Sequence, residues 1–211
     1  MEIKLNPMAD VSVKRLSEKT RKLAAAYLQG EMRSRLREAP AYLDDPELPE
    51  MLRRANCAVK MAECVDLCIV PQERLAGAAP FMDALNHMVP GMGIASISHT
   101  TVEFGDAIRL GLSGLEKEIK LRGSYANSTE ETMFVQALLK VISAIRIWIK
   151  RYISAYSAML KSGQYQAKEK NIRQIISNLN NCPENPPNSF AEALQSFWIF
   201  FEFERLCGNW S

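Results

Sequence analysis

The sequence lacks the segments that would carry it into or across a membrane. Its first ten residues hold two acidic side chains and one lysine, and no apolar signal-peptide core follows them. Its most apolar runs, 141–149 and 197–203, are interrupted by Arg146 and Glu202. Both runs are shorter than the ~20 residues that a membrane-spanning helix needs. We therefore expect a cytoplasmic protein that has no membrane partner.

The sequence also has no large excess of either charge sign, and it has few histidines. Lys and Arg number 26 against 24 Asp and Glu, and no basic cluster is large enough to form a nucleic-acid-binding face. The two histidines, His87 and His99, belong to no HxxxH or ExxH pair, and neither GxGxxG nor a P-loop motif occurs. The sequence thus predicts no nucleic-acid partner, no bound cofactor and no catalytic residue of its own.

The five cysteines do not form a disulfide framework, because their number is odd and no secretion signal accompanies them. Cys57, Cys64 and Cys68 follow at spacings of seven and four, which is one face of a helix, and such thiolates could share a metal ion. No histidine lies near them and the CxxC spacing is absent. Structural cysteines are therefore favoured over a metal site.

Helical periodicity dominates the chain. Apolar residues recur at steps of three and four in five segments, which predicts helices over about 11–37, 49–68, 100–122, 128–161 and 165–179. A sixth, strongly apolar helix follows the proline-rich loop after Leu179. Ser128 with Glu131, and Ser189 with Glu192, have the spacing of capping boxes. No strand is convincing, although residues 91–96, "GMGIAS", and the overlapping "GIASIS" are short candidates for a phosphate loop and a strand.

Three glycines inside one predicted helix need a physical reason. Gly105, Gly111 and Gly114 each cost roughly 1 kcal/mol relative to alanine in a helix interior. Close packing or a kink is the usual compensation. The same helix carries Glu103, Asp106, Glu116 and Glu118, of which the first two are neighbours on one face. Such a carboxylate pair could exchange protons, but nearby Lys and Arg residues favour a solvated face.

Three segments in order resemble the glycyl radical enzyme superfamily, in its pyruvate formate-lyase-like and glycerol dehydratase-like branch. These are "PQERLAG" (71–77), "HTTVEFGDAIRLGLSGLEKEI" (99–119) and "PPNSFAEALQSFWIFFEFERLCGNWS" (186–211). The resemblance implies one partial pyruvate formate-lyase (PFL) domain over residues 1–211, with no second domain. We expect a mainly α fold, namely the helical N-terminal part of the family's ten-stranded α/β barrel, with the barrel itself largely missing.

The family's chemistry implies radical cleavage of C–C, C–O or C–N bonds, as in formate acetyltransferases and diol dehydratases. A thiyl cysteine in a G-C-x-E motif and a glycyl radical in an R-V-x-G-Y motif perform it, and an iron–sulfur activase that uses S-adenosylmethionine installs the radical. Neither motif occurs in this sequence. We therefore expect a truncated fragment or subunit that is inactive alone, with the activase as a partner only of an assembled enzyme.

His99 is the one candidate for a substrate-binding residue. It precedes a predicted helix, where the helix dipole favours a neutral imidazole that can hydrogen-bond a neutral substrate. In dehydratase-type members, the matching position helps bind the substrate hydroxyl. A capping or packing role is the alternative.

Three hypotheses about the whole chain differ in what they predict. A fragment or split subunit would pair with a complementing C-terminal chain or with itself, and would expose the apolar region around 197–203. A non-catalytic helical scaffold derived from the same domain would be compact and unfold cooperatively. A metal enzyme using His87, His99 and nearby carboxylates would bind metal stoichiometrically.

Overall fold

A computed structural model describes residues 17–28, 47–65, 67, 69, 73–77 and 103–207. Within these residues the secondary structure is helical, with no strand. The helices are α1 (Glu18–Leu28), α2 (Glu50–Cys64), α3 (Phe104–Gly123), α4 (Thr129–Lys161), α5 (Glu169–Asn181) and α6 (Phe190–Leu206), and a 3-10 turn, Gln166–Lys168, precedes α5. The mainly α prediction is confirmed.

The 33-residue helix α4 is the centre of the packing. Its capping box is present as predicted: Ser128 Oγ accepts from the Glu131 amide at 3.1 Å, and Glu131 accepts from the Ser128 amide at 3.2 Å. At ~1.5 Å per residue the helix is roughly 50 Å long, a length that tertiary packing must stabilise. Its contacts with α2, α3 and α5 supply that packing.

The core lies where α2, α4, α5 and α6 meet. Trp148, Tyr152 and Tyr156 of α4 are almost fully buried there, and their rings pack on one another and on Phe203 of α6. A hydrogen bond also joins α4 to α2, since the guanidinium of Arg151 donates to the Ala62 carbonyl at 2.8 Å. The length and apolar composition of α4 would also allow it to span a membrane, but both are equally typical of a core helix in a soluble protein.

The helix α3 is kinked at Gly111, whose φ of 64° and ψ of 174° are not helical. An L-residue rarely adopts this conformation, so glycine is required. A Cβ at this position would also lie 2.8 Å from the backbone of Asn185, where the loop between α5 and α6 approaches. The kink and the close approach together explain the glycine. For Gly105 and Gly114, the Cβ would meet only flexible side chains of Glu103 and Leu110.

Several predicted helix boundaries differ from the observed ones. The helix predicted over 100–122 begins at Phe104, and the helix predicted over 165–179 begins at Glu169, after the 3-10 turn. The helix predicted over 49–68 ends at Cys64, because Val65 turns to an extended ψ of 133°. Pro49 is its N-cap, one residue before the helix begins. The helix predicted over 11–37 is described only as Glu18–Leu28, and the rest of that prediction lies outside the described residues. The candidate strand and phosphate loop at 91–98 also lie outside them.

Candidate functional site

A half-buried cluster of charged residues joins α3, α4 and the loop between α5 and α6. Arg146 of α4 donates two hydrogen bonds to the Glu184 carboxylate, from Nε at 2.8 Å and from Nη2 at 2.7 Å. Its third nitrogen, Nη1, donates to Glu116 of α3. Ser113 Oγ donates to Glu184 Oε1 at 2.6 Å. All three guanidinium nitrogens thus donate to a carboxylate, and the contact with Glu184 has the bidentate geometry that gives the strongest pairs.

The cluster holds its members in their charged forms. The Arg146 guanidinium lowers the pKa of the Glu184 carboxyl from its ordinary value, with a further contribution from the Ser113 hydroxyl. Lys120 and then Arg146 lower the pKa of Glu116 through hydrogen bonds. The two carboxylates in turn raise the pKa of Arg146. These shifts all favour the charged forms, and the hydrogen bonds join α3, α4 and the loop, so we assign the cluster a structural role.

The loop that carries Glu184 is seated in the kink of α3. The amides of Leu112 and Ser113, which the kink frees from the helix, donate to the carbonyls of Pro183 at 2.8 Å and Glu184 at 3.0 Å. The loop therefore satisfies helix N–H groups that would otherwise be orphaned. Cys182, at the start of the loop, is fully buried, and burial raises the pKa of its thiol to about 11. That thiol is therefore poorly suited to nucleophilic chemistry.

Residues 73–77 are held against α5 and α6 by hydrogen bonds. Gln195 of α6 is fully buried and bonds both backbone groups of Ala76, accepting from its N–H at 3.0 Å and donating to its C=O at 2.8 Å. Asn171 of α5 donates to the Glu73 carbonyl at 2.6 Å. Gly77 has a φ of 113°, and a Cβ there would lie 2.9 Å from Ile199. The segment therefore has one conformation, fixed mainly by side chains far away in sequence.

A carboxyl group of this segment interacts with a carboxyl group of α6. Glu73 is half-buried and Glu202 of α6 is 1% exposed. Burial, followed by the charge of Glu202, raises the pKa of Glu73 to about 7. Glu73 Oε2 has no hydrogen-bond partner within the described part of the chain. Such a raised pKa is typical of sites that transfer protons, but it also arises where two acids are simply packed together.

An apolar cavity of about 710 Å³ opens between α2, α3, α4 and α6. Its lining includes Met61, Phe104, Ile145 and Phe203, together with the thiols of Cys57 and Cys207. Burial is the main cause that raises the pKa of Cys207 to about 12, and the neighbouring Cys57 and Glu204 raise it further. The lining therefore suits apolar groups rather than acid–base chemistry.

The residues predicted from the sequence have different outcomes. His87, His99 and Cys68 lie outside the described residues, so the substrate-binding prediction for His99 stays a prediction. Cys57 is buried as a structural cysteine should be, but Cys64 is exposed, so these two do not share a buried face. Where the chain is described, no three His, Cys, Asp or Glu residues are grouped as a metal site requires.

The carboxylates of α3 divide into two groups. Asp106 and Glu118 pair with Arg109 and Arg122 on exposed turns, which agrees with the solvated face that was predicted. Glu116 does not belong to that face, because it belongs to the Arg146 cluster. The sequence did contain a signal for this cluster: Arg146 is the one charge inside the apolar run 141–149.

The exposure expected for 197–203 is partly wrong. Ile199, Phe200, Glu202 and Phe203 are buried, since α6 turns that side toward α4 and residues 73–77. The most exposed large apolar residues on the helix are instead Phe190, at 84%, and Leu194, at 40%.

Comparison with known proteins identifies the family of this chain. The model of the pyruvate formate lyase-like family matches residues 82–204, more than half of the chain. The chain belongs to that family. An isethionate sulfite-lyase from Bilophila wadsworthia is 25% identical over 105 residues, which are 47% of this chain and 13% of the relative.

Solved structures of glycyl radical enzymes share the fold. A protein structure described as representing 1,2-propanediol dehydration in Roseburia inulinivorans superposes on 91% of this chain, with a TM-score of 0.72 and 17% sequence identity. A glycyl radical enzyme from Archaeoglobus fulgidus gives a TM-score of 0.63 over 90% of the chain at 16% identity. In each case the match covers 32% of the other chain. The helical unit of this protein is therefore similar to one third of a much larger fold.

Replacing Arg146 with glutamine tests the ion cluster. We expect the free energy of unfolding at pH 7 to fall by about 1–3 kcal/mol, because two half-buried carboxylates lose their hydrogen bonds to the guanidinium. The pKa values of Glu116 and Glu184 are lowered by folding, so their contribution is present above the unfolded pKa and is lost as pH falls through the folded values. The difference between the two proteins should therefore shrink at pH 3 in urea unfolding.

The matched control for this experiment is Arg109→Gln, which removes the exposed ion pair between Arg109 and Asp106. The side chains of these two residues are 64% and 62% exposed. We expect that change to cost less than about 1 kcal/mol. Equal losses in the two variants would show that the Arg146 cluster has no special role.

Replacing Glu73 with glutamine tests the buried acid pair. Folding raises the pKa of Glu73 to about 7 from 4.5. The contribution of Glu73 to stability is therefore fully present below pH 4.5 and is lost as pH rises through 7. Glutamine resembles the protonated acid, so the stability of the variant relative to the natural protein should increase between pH 5 and pH 8, as measured by urea unfolding. If the exposed Glu118→Gln produced the same increase, the acid pair would not be its cause.

Proposed function

We propose that these 211 residues act as the helical N-terminal part of a pyruvate formate lyase-like glycyl radical enzyme, as a segment or as a subunit. In this proposal they do not complete the radical reaction without a further part that carries the thiyl cysteine and the glycyl radical. The sequence contains no G-C-x-E and no R-V-x-G-Y motif to supply them. The role of the helices is to support and shape the enzyme rather than to perform its bond cleavage.

One observation carries the proposal: the separated family-like segments are packed on one another. Residues 73–77 belong to "PQERLAG", and Gln195 belongs to "PPNSFAEALQ". Although 119 positions separate Ala76 from Gln195, the glutamine side chain bonds both backbone groups of that alanine. Glu192 of the second segment caps α6 by accepting from the Asn188 amide at 2.6 Å. The resemblance therefore rests on residues that maintain the helical unit, which is what an N-terminal supporting part requires.

The reaction class and its setting follow from the family and belong to the proposal. The family's radical chemistry cleaves C–C, C–O or C–N bonds, and the compared proteins are described as a sulfite-lyase and as a catalyst of 1,2-propanediol dehydration. These favour a lyase or dehydratase over a formate acetyltransferase. His99 would bind a substrate hydroxyl, an iron–sulfur activase would install the radical, and the assembled enzyme would work in the cytoplasm of an anaerobic cell.

A non-catalytic helical scaffold is the second candidate. The observation that favours it is that α2, α3, α4, α5 and α6 share one hydrophobic core and that an ion cluster joins α3 and α4. Such a unit could unfold cooperatively and act through its surface alone.

The DNA downstream of codon 211 and a radical assay distinguish the two candidates. We expect a reading frame, continuous or adjacent, that encodes G-C-x-E and R-V-x-G-Y. When this chain, that polypeptide and an activase are produced together without oxygen, the doublet electron paramagnetic resonance signal of a glycyl radical should appear. This chain with the activase alone should give none, since it lacks the radical motif.

The control replaces the glycine of the R-V-x-G-Y motif with alanine, which should abolish the signal. If the downstream DNA encodes neither motif, the enzyme proposal is wrong and the scaffold candidate remains. A glycyl radical on the 211-residue chain alone would contradict both candidates.

A further inference from the structure

The outward side of α6 is apolar along most of its length. Phe190, Leu194, Phe197 and Phe201 follow at spacings of four, three and four, which places them on one face of the helix. The opposite side, with Gln195 and Ile199, is fully buried against the rest of the chain. The helix is thus buried on one side and apolar on the other, a pattern of helices that are covered on both sides.

The N-terminal half of this face is exposed, while Phe197 and Phe201 are half-buried and contact Phe104 of α3. Phe190 is 84% exposed and Leu194 is 40% exposed. The rings of Phe197 and Phe201 stack with their centroids 5.8 Å apart, and the ring of Phe104 from α3 meets Phe197 edge-on at 5.1 Å. Because Phe104 also lines the 710 Å³ cavity, the face continues into that cavity. Contiguous apolar surface of this kind is typical of a site that another polypeptide covers.

The charge pattern specifies the chemistry of what covers it. No charged residue lies on this face between Phe190 and Phe201, since Glu192 points to the other side and caps the helix. A charged partner surface would lose its hydration there without gaining an opposite charge. The partner must therefore present aliphatic or aromatic side chains.

The comparison with solved structures indicates the source of that partner. The superposition that covers 91% of this chain covers 32% of the 1,2-propanediol-dehydrating enzyme's chain. About two thirds of that folded polypeptide has no counterpart here. We infer that the outward face of α6, formed by Phe190, Leu194, Phe197 and Phe201, is the docking surface for the radical-bearing remainder of the enzyme. This inference rests on the proposed function and adds the residues that make the interface.

A co-production experiment tests the surface. The tagged chain is produced together with the polypeptide that carries G-C-x-E and R-V-x-G-Y, and the amount of that polypeptide recovered through the tag is measured. The double variant Phe190→Ser/Leu194→Ser should lower the recovery at least tenfold. The control Leu121→Ser/Tyr125→Ser also removes one aliphatic and one aromatic residue, which are 61% and 71% exposed, and should leave the recovery unchanged.

Three results would overturn the inference, and each is distinguishable from failure of the proposed function. Undiminished recovery with the Phe190 and Leu194 variant would show that the polypeptide docks elsewhere, while the proposed function would stand. Equal loss in both double variants would show that the effect is not specific to this face. A concentration-dependent dimer of the chain alone, abolished by the Phe190 and Leu194 variant in analytical ultracentrifugation, would assign the face to a second copy. The proposed function itself fails only if no motif-bearing polypeptide is encoded. Circular dichroism of both variants checks that the helices remain folded.

Discussion

The hydrogen-bonded ion pair between Arg146 and Glu184 is the contact on which the arrangement of the helices depends. It anchors the loop between α5 and α6 to the middle of α4, and the same guanidinium reaches Glu116 on α3. The anchored loop then offers the carbonyls of Pro183 and Glu184 to two amides in the kink of α3. One arginine therefore joins two helices, α3 and α4, to the loop that precedes α6. A half-buried arginine is suited to this because its planar group binds two carboxylates at once.

The second constraint is the fixed position of residues 73–77. Their backbone groups are satisfied by the side chains of Gln195 and Asn171 rather than by regular secondary structure. Buried backbone groups need such partners, so Gln195 contributes to the fold although it is polar and fully buried. The segments "ERLAG" and "EALQ", both part of the family resemblance, are thus hydrogen-bonded to each other through Ala76 and Gln195. The packing of this segment also buries Glu73, and burial followed by the charge of Glu202 raises the pKa of that carboxyl.

Much of the fold could be predicted from the sequence, because periodicity and caps are local properties. The apolar repeat and the pair Ser128 and Glu131 predicted α4 at its observed boundaries. The second capping signal was also correct in position, although Glu192 accepts from the Asn188 amide instead of from the Ser189 amide. The end of α2 was placed too late, since the extended backbone at Val65 leaves no mark in the apolar pattern.

The site could be predicted less well, because its contacts are long-range. Nothing local to Glu116 distinguishes it from Glu118, and only the approach of α4 makes one of them part of an ion cluster. Gly111 could be recognised as needing a reason, but the loop that approaches it comes from 74 positions later. The most exposed apolar residues of α6, Phe190 and Leu194, precede the region 197–203 that was expected to be exposed. An all-round apolar helix gives no periodic signal, so its buried side cannot be chosen from its sequence alone.

Native-state hydrogen exchange at the amides of Leu112 and Ser113 tests most directly whether the loop is seated in the kink of α3. These amides lie beside a break in a helix and would exchange quickly if the loop left them in water. The structure predicts that they exchange only when the whole unit unfolds, with protection equal to that of amides in the middle of α4. Exchange at the rate of an exposed turn, while α4 remains protected, would contradict the account of how these helices are held together.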